Sequence, residues 1–344
     1  MKLKLFSIIL LTLITQVAYT LPIAKITVKV IDEQGVPIAD ANAGMGFMSP
    51  KGRGEGWGTN SSRVSGITDS DGIFVGEGET QPQVSYGANK VGYYGVGGKF
   101  KDFTGVSGFV GFRKYEPWNP TVELALKKII NPIPMYAVNR GAPRKGELPI
   151  IPLVGRFVGY DLMINDWMAP HGLGTHRDFL FKVDIDRAVS YRDHDVTLTL
   201  EFSNAGDGLI KYTPDTSKGK SLLRFPHQAP ITGYEPKFVR HYEARTDIRV
   251  PRVSSTGDSE YQNNYFFRVR TELDNDGNVV GGLYGKIHGR IKLSKFIAES
   301  GSAPKPNISF NYYLNPNNND TNIEYNPEKN LFKDVPDRLK VSQP

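Results

Sequence analysis

The feature that most constrains the fold of this chain is its division into short segments of alternating apolar and polar residues, bounded by turn-forming residues. Ile26, Val28 and Val30, for example, alternate with polar residues, a period of two that is typical of a strand with one buried face. Beyond residue 131 no segment shows helical periodicity over three turns. The 36 glycines and 23 prolines agree with this pattern, because both residues favour turns over long helices. The sequence therefore predicts an all-β protein.

The length indicates more than one domain, because 344 residues exceed the usual domain size of about 100–150 residues. We expect a β-sandwich over 21–130 and a second β-rich domain, an antiparallel sandwich or jelly-roll-like body, over 131–315. The boundary is placed at 131–134, where two prolines in three residues cannot donate to a strand ladder. Residues 316–344 form an Asn- and Pro-rich C-terminal tail in this interpretation.

The N-terminus predicts export. A basic start with Lys2 and Lys4 precedes an apolar run of about 14 residues, which is shorter than the about 20 needed to span a bilayer. Small residues follow near Ala18, so residues 1–20 are interpreted as a signal peptide, and an uncleaved membrane anchor is the alternative. No later segment reaches transmembrane length. We expect a mature chain in the periplasm or outside the cell.

Composition excludes several classes of function. The chain has no cysteine, which removes disulfides, thiolate nucleophiles and cysteine-ligated metals. The formal charge of +6 falls to +4 when Lys2 and Lys4 leave with the signal peptide, and the remaining positive charges are scattered. Without a basic stripe or a known motif, nucleic acid is not expected as a partner. The glycine-rich segments complete no phosphate-binding fingerprint, and no cofactor is predicted.

Two separated motifs carry a family resemblance. The segment DEQGVPI at 32–38, followed by Ala41, and the segment TDSDGIF at 68–74 occur in this order. They resemble the carboxypeptidase regulatory-like (transthyretin-like) domains, and the resemblance covers about 25–130. It implies a small β-sandwich without catalytic residues, used as an appended binding, spacing or stabilising module.

A second resemblance concerns the whole mature chain. The segments LKKIINPIPM at 126–135 and NIEYNPEKNLF at 322–332 are similar to segments of exported bacterial proteins of unassigned function. This resemblance implies the two-part architecture and supplies no activity.

Aromatic residues near glycine-rich loops of the first domain are the candidate ligand-binding residues, because an aromatic face offers a platform for a sugar ring or an apolar partner. The candidates are Trp57, Tyr93, Tyr94, Phe103 and Trp118. The alternative is that these aromatic side chains pack beneath their own loops.

One loop suggests a metal site. His171, His176 and Asp178 could bring two imidazoles and a carboxylate onto a zinc-like ion. The helical HExxH spacing is absent and Arg177 places a cation beside the site, so ordinary polar loop residues are the alternative.

Other constellations suggest chemistry less strongly. Asp161 and Asp166 flank Tyr160 and Trp167, which would suit a pair of carboxylates for glycoside hydrolysis. The segment 274–278 resembles half of a calcium loop but lacks the bidentate glutamate, and is interpreted as a hairpin turn. No catalytic residue is assigned.

Together these features predict an exported, non-enzymatic binding or structural module of the cell envelope, with an envelope protein or a glycan as its partner. The alternative is a secreted hydrolase of glycans or peptides that uses the first domain as an accessory module.

Overall fold

The computed structural model describes residues 21–51, 58–109, 112–140, 148–245, 262–298, 303–333 and 336–344. The chain divides into unit 1, Met1–Leu126, and unit 2, Lys127–Pro344. The predicted signal peptide, residues 1–20, lies outside the described residues. In the part of the chain that is described, no helix is long and apolar enough to cross a membrane.

Unit 1 is built from two sheets. One has the order β6-β10-β1-β9-β8 with β4 also paired to β1, and the other has the order β7-β5-β2-β3. The strands are β1 (Ile23–Asp32), β2 (Asn42–Pro50), β3 (Thr59–Ile67), β4 (Ile73–Glu79), β5 (Val84–Asn89), β6 (Tyr93–Tyr94), β7 (Val96–Phe100), β8 (Gly105–Ser107), β9 (Lys114–Glu116) and β10 (Thr121–Lys128).

The core of unit 1 follows from the alternation in β1. Ile26, Val28 and Val30 are fully buried, as a period of two requires of a strand with one face in the core. They share one apolar cluster with Met45 and Phe47 of β2, which belongs to the other sheet. Unit 1 is therefore a β-sandwich.

Unit 2 also has two sheets, with the orders β13-β12-β14-β15-β18 and β16-β19-β20-β21-β11-β22. Its elements are β11 (Ile133–Asn139), β12 (Val158–Asp161), β13 (Asp166–Trp167), β14 (Phe179–Ser190), β15 (Asp193–Glu201), β16 (Gly208–Tyr212), β17 (Lys220–Ser221), β18 (Lys237–Ala244), β19 (Asn264–Leu273), β20 (Val279–Ser294), β21 (Asn307–Leu314), β22 (Tyr325–Asn330) and a 3-10 helix (Asp337–Leu339).

The six-stranded sheet of unit 2 is covered on both faces. On one side Phe267 and Phe310 share the large core with Phe181 of the five-stranded sheet. On the other side Phe266 and Tyr284 pack with Phe225. Because both faces of the sheet are covered, almost every residue of β19, β20 and β21 is buried, and buried residues do not alternate with exposed ones.

The all-β prediction is confirmed, since the described residues contain strands and one 3-10 helix but no α-helix. Most strand pairs are antiparallel, but β1–β10, β1–β9 and β11–β22 pair in parallel. The predicted hairpin at 274–278 is confirmed between β19 and β20, and the Asp274 carboxylate accepts the N–H groups of Asp276 and Asn278 there.

The expectation that prolines keep 131–134 out of a ladder is wrong. Ile133 and Met135 pair with β22, and Pro134 lies where the register of that pairing shifts. The irregularity lets the strand pass a residue that has no N–H to donate.

The segment 316–344 contributes structure to unit 2. It supplies β22 and the 3-10 helix, and it buries Ile323, Tyr325 and Leu339. Asparagine side chains at the start of this segment stabilise local turns. For example, the Oδ1 of Asn315, just before the segment, accepts the N–H of Asn317.

Two turns of unit 1 allow a matched test of backbone requirements. Gly35 and Gly72 both have positive φ, at +86° and +74°. A Cβ at Gly72 would overlap the carbonyl oxygen of Val30, whereas a Cβ at Gly35 meets nothing within 4 Å. We expect Gly35→Ala to lower the free energy of unfolding by about 1 kcal/mol, and Gly72→Ala by about 3 kcal/mol, because the overlap adds to the conformational strain.

Urea unfolding of the two variants beside the parent chain measures this difference. Equal losses would contradict the role of the close approach between Gly72 and Val30.

Candidate functional site

The candidate site is built on the hairpin of β12 and β13. These strands pair antiparallel, with Tyr160 opposite Trp167 and Asp161 opposite Asp166. Asn165 closes the turn with a φ of +59°, a conformation that asparagine tolerates better than most residues. Its Oδ1 accepts a hydrogen bond of 2.9 Å from the Tyr160 hydroxyl.

Asp161 holds together the two loops that flank this hairpin. Its side chain is 0% exposed. One carboxylate oxygen accepts the N–H groups of Met163 and Ile164 in the turn, and the other accepts those of Thr175 and His176 in the loop after β13. Both loops are thereby fixed to one buried carboxylate.

Arg270 of β19 joins Asp161 to a second buried carboxylate. The guanidinium donates to Asp178 through Nε at 2.8 Å and Nη2 at 3.0 Å, and Nη2 also lies 3.2 Å from Asp161 Oδ1. Asp178 in turn accepts the N–H of Leu162. We call Asp161, Asp178 and Arg270 the buried ionic network.

The electrostatics favour the charged forms of Asp161 and Arg270, whereas burial raises the pKa of Asp178 despite its hydrogen bonds to Arg270. Burial acts to raise the pKa of Asp161, but the N–H groups of Thr175, His176, Ile164 and Met163 outweigh it and hold the pKa below its ordinary value. Burial acts to lower the pKa of Arg270, but its hydrogen bonds to Asp178 raise it.

An open cleft of about 420 Å³ lies beside the hairpin. Tyr160 and Trp167 form part of its lining and pack edge to face with ring centroids 5.0 Å apart. The lining contains an apolar segment, called the apolar wall, and a set of polar side chains. The apolar wall includes Pro149, Ile150 and Pro152, and the polar lining includes Arg140, Asn165, Asp166 and His171.

Asp166 is held in a fixed position within the cleft. Its Oδ1 accepts the N–H of Trp167 at 2.8 Å and its Oδ2 accepts the N–H of Leu173 at 2.9 Å. Because a carboxylate has about four lone-pair sites, capacity for a ligand's hydroxyl groups remains. Asp166 is the one carboxylate among the described residues that line the cleft, since Asp161 is turned into the buried ionic network.

The structure separates the three residues proposed as metal ligands. His171 lines the cleft, His176 Nδ1 lies 3.7 Å from Asp161, and Asp178 is paired with Arg270. Over the described ranges, no three histidine or acidic side chains gather in a group that could hold a metal ion.

The aromatic candidates of unit 1 have varied environments. Tyr94 is buried, and Tyr93 is half-buried against the core of unit 1. Phe103 packs on Phe100 and Tyr115, with ring centroids 4.8 Å and 4.6 Å away. For this side chain the structure thus agrees with the alternative that the aromatic residues pack within the domain.

Trp118 is half-buried and interacts with two cations. Lys114 Nζ lies 4.5 Å and Lys25 Nζ 5.9 Å from the ring centroid. Trp57 lies outside the described residues.

Sequence reasoning missed Arg270 and the apolar wall of the cleft. Arg270 lies 92 residues from Asp178, and no local pattern marks it as a partner. The segment PIIP at 149–152, two isoleucines between prolines, is the signal that could have indicated an apolar wall.

The buried ionic network should dominate the stability of unit 2. We expect Arg270→Ala to lower the free energy of unfolding by about 3–5 kcal/mol, because it leaves two buried carboxylates without their cation. Arg245→Ala, which removes an exposed pair with Glu243, should cost less than about 1 kcal/mol. Chemical denaturation measures both, and similar small losses would contradict the assigned role of Arg270.

The depressed pKa of Asp161 predicts a pH dependence. A carboxyl whose pKa is lowered on folding stabilises the protein above its unfolded pKa of 3.8, and this contribution is lost as pH falls through the folded value. The stability difference between the parent chain and Asp161→Asn should be largest near neutral pH and shrink below about pH 4. Urea unfolding across this range tests it, and a difference independent of pH would contradict it.

Comparison with known proteins gives only distant similarities. No known protein family and no curated protein matches the chain. The 3-chlorocatechol 1,2-dioxygenase of Rhodococcus opacus 1CP is similar at 12% identity and a TM-score of 0.23, over 33% of this chain and 62% of that chain. A Bacteroides uniformis ATCC 8492 protein, described as a "putative carbohydrate binding protein", is similar at 12% identity and a TM-score of 0.17, over 85% of this chain and 98% of that chain. At these TM-scores neither similarity supports an argument.

Proposed function

We propose that this chain is an exported, non-enzymatic glycan-binding protein of the cell envelope, and that the cleft beside the β12–β13 hairpin is its binding site. The observation that carries the proposal is the division of the cleft into an apolar wall and a polar lining. A sugar ring presents C–H groups on its faces and hydroxyl groups at its edge. Such a ligand suits a concave site that combines apolar side chains with fixed polar groups.

The polar lining supplies both donors and acceptors for hydroxyl groups. Asp166 accepts, and the guanidinium of Arg140 donates. His171 lies on the exposed side of the same cleft and can do either through its two ring nitrogens. His171 stands on the loop whose Thr175 and His176 N–H groups bind Asp161, and Asp166 is held by the N–H groups of Trp167 and Leu173, so little ordering of these two groups is needed when the ligand binds.

The number of carboxylates in the cleft favours a binding role over glycoside hydrolysis. Glycoside hydrolysis ordinarily uses two carboxyl groups that flank the scissile bond. Among the described lining residues the cleft has Asp166 alone, while Asp161 accepts hydrogen bonds on both oxygens inside the protein. This arrangement supports the assignment of a binding role.

Export and the role of unit 1 complete the proposal. The basic and apolar pattern of residues 1–20 supports export through a signal peptide, to the periplasm or beyond. The motifs at 32–38 and 68–74 support a carboxypeptidase regulatory-like domain in unit 1, which acts as an accessory module.

His171 and His176 offer a matched test of the cleft. Both are exposed and lie on the same loop, but only His171 lines the cleft. We expect His171→Ala to weaken binding of a responsive glycan by about tenfold, the effect of about one lost hydrogen bond, and His176→Ala to change it less than twofold.

The measurement is calorimetry of the purified chain with the hits from a panel of neutral envelope polysaccharides. The same incubations are assayed for released reducing ends. Absence of binding across the panel, or equal losses in both variants, would overturn the cleft assignment. Release of reducing ends would replace binding by hydrolysis.

A further inference from the structure

A second cavity of about 250 Å³ lies in unit 2 and shares no lining residue with the cleft. It is bordered by β20 and β21 and by residues 340–343 of the C-terminal segment. The proposed glycan-binding function makes no use of it.

Strand β20 gives this cavity its charge. His288, Arg290 and Lys292 line the cavity and are spaced two residues apart, as expected for side chains on one face of a strand. Ile287 and Ile291 alternate with them and are fully buried in the large apolar core. The same strand therefore has an apolar face and a basic face.

Two more cations complete the lining, and no acidic residue belongs to its described part. Arg224 Nη2 lies 3.4 Å from Gln343 Oε1, and Lys340 Nζ is paired with Asp337 at 2.6 Å. The other polar liners are neutral: Asn139, Asn311, Ser342 and Gln343. Converging positive charge with neutral donors is the usual chemistry of a site for an anion.

His288 lines this cavity, and its ring has a buried polar atom without a partner. The side chain is 4% exposed and its ring stacks on Phe225 at 5.2 Å. The Tyr313 hydroxyl lies 3.0 Å from Nδ1, and Nε2 has no hydrogen-bond partner in the structure. The Nε of Arg290 likewise has no partner. Buried polar atoms that lack partners within the protein are costly unless a ligand or water meets them.

The His288 ring is neutral, and its tautomer makes Nε2 a hydrogen-bond donor. Burial and the positive charges of Lys286 and Arg224 lower its pKa well below the ordinary value, so the ring is neutral at neutral pH. Burial also raises the pKa of Tyr313, which keeps its proton. Since Nδ1 is the one acceptor that the Tyr313 hydroxyl contacts among the described residues, Nδ1 accepts and the ring proton is on Nε2.

Lys286 precedes His288 by two residues on β20, and its charge acts on the His288 ring. It is fully buried, its Nζ has no hydrogen-bond partner, and it lies 4.8 Å from the centroid of the Tyr313 ring. Burial lowers its pKa to about 7. A nearby anion would favour the protonated form of this lysine and would gain from its charge.

We propose that the cavity lined by His288, Arg290 and Lys292 binds an oxyanion, as a carboxylate, sulfate or phosphate group. The donors at its wall suit the oxygen atoms of such a group. Its volume lies below that of ordinary pockets for drug-sized ligands, so the site accepts one acidic group and not a large anionic molecule.

The test is isothermal titration calorimetry of the full chain with sodium phosphate, sodium sulfate and digalacturonate at constant ionic strength, with maltose as the neutral control. We expect saturable binding of at least one anion, which maltose at high concentration does not displace. Binding of phosphate or sulfate alone identifies a free anion as the ligand, and binding of digalacturonate alone identifies an acidic glycan. Absence of saturable binding by all three anions overturns the proposal.

Variants locate the site. Arg290→Met and Lys292→Met should each weaken anion binding by about tenfold, the usual effect of losing one charge-assisted hydrogen bond. Arg245→Met removes the same charge outside the cavity and should change the affinity less than twofold, and circular dichroism checks that each variant is folded. Equal losses in all three variants would indicate general surface electrostatics and overturn the assignment. Unchanged affinity in both cavity variants would also overturn it. His171→Ala should leave anion binding unchanged, which separates this site from the cleft.

Discussion

The ion pairs of Arg270 with Asp161 and Asp178 are the interaction on which the cleft of unit 2 depends. One guanidinium serves two buried carboxylates, so the local charge is not balanced by ion pairing alone. The excess negative charge is compensated by backbone N–H groups, which come from the loops on both sides of the β12–β13 hairpin. The N–H groups of these loops therefore replace water as hydrogen-bond donors to the carboxylates, and the carboxylates in turn hold the loops in place. This arrangement holds the two loops beside the β12–β13 hairpin, and with them part of the cleft, in one shape.

The six-stranded sheet of unit 2 separates two chemical environments. Its first face belongs to the large apolar core, while its second carries an aromatic layer in which Lys286 and His288 are embedded. Burying such polar groups lowers stability unless something compensates them. The first face contributes apolar burial alone, whereas the second combines apolar burial with the candidate anion chemistry.

The sequence predicted the parts of this structure that are local in the chain. Alternation in 26–30 indicated a half-buried strand, and the turn residues at 274–278 indicated a hairpin, because both signals depend on neighbouring residues. Pairing across long distances was not visible. Arg270 and Asp178 are 92 residues apart, and nothing in either neighbourhood specifies the other. The basic face of β20 was readable in the alternation KIHGRIKL at 286–293, but its alternate basic residues resemble an ordinary solvated face until the tertiary structure shows that the face is covered.

The position of β11 has a consequence for the synthesis of the protein. This strand begins unit 2, yet its neighbours in the sheet are β21 and β22 near the C-terminus. Ala137 is hydrogen-bonded to Asn330, 193 residues further along the chain. During translation β11 leaves the ribosome long before β21 and β22 are synthesised. Until then its apolar side chains lack their packing partners and its backbone groups lack their strand partners. The six-stranded sheet of unit 2 therefore closes only after β21 and β22 have been synthesised, about 170 residues after β11.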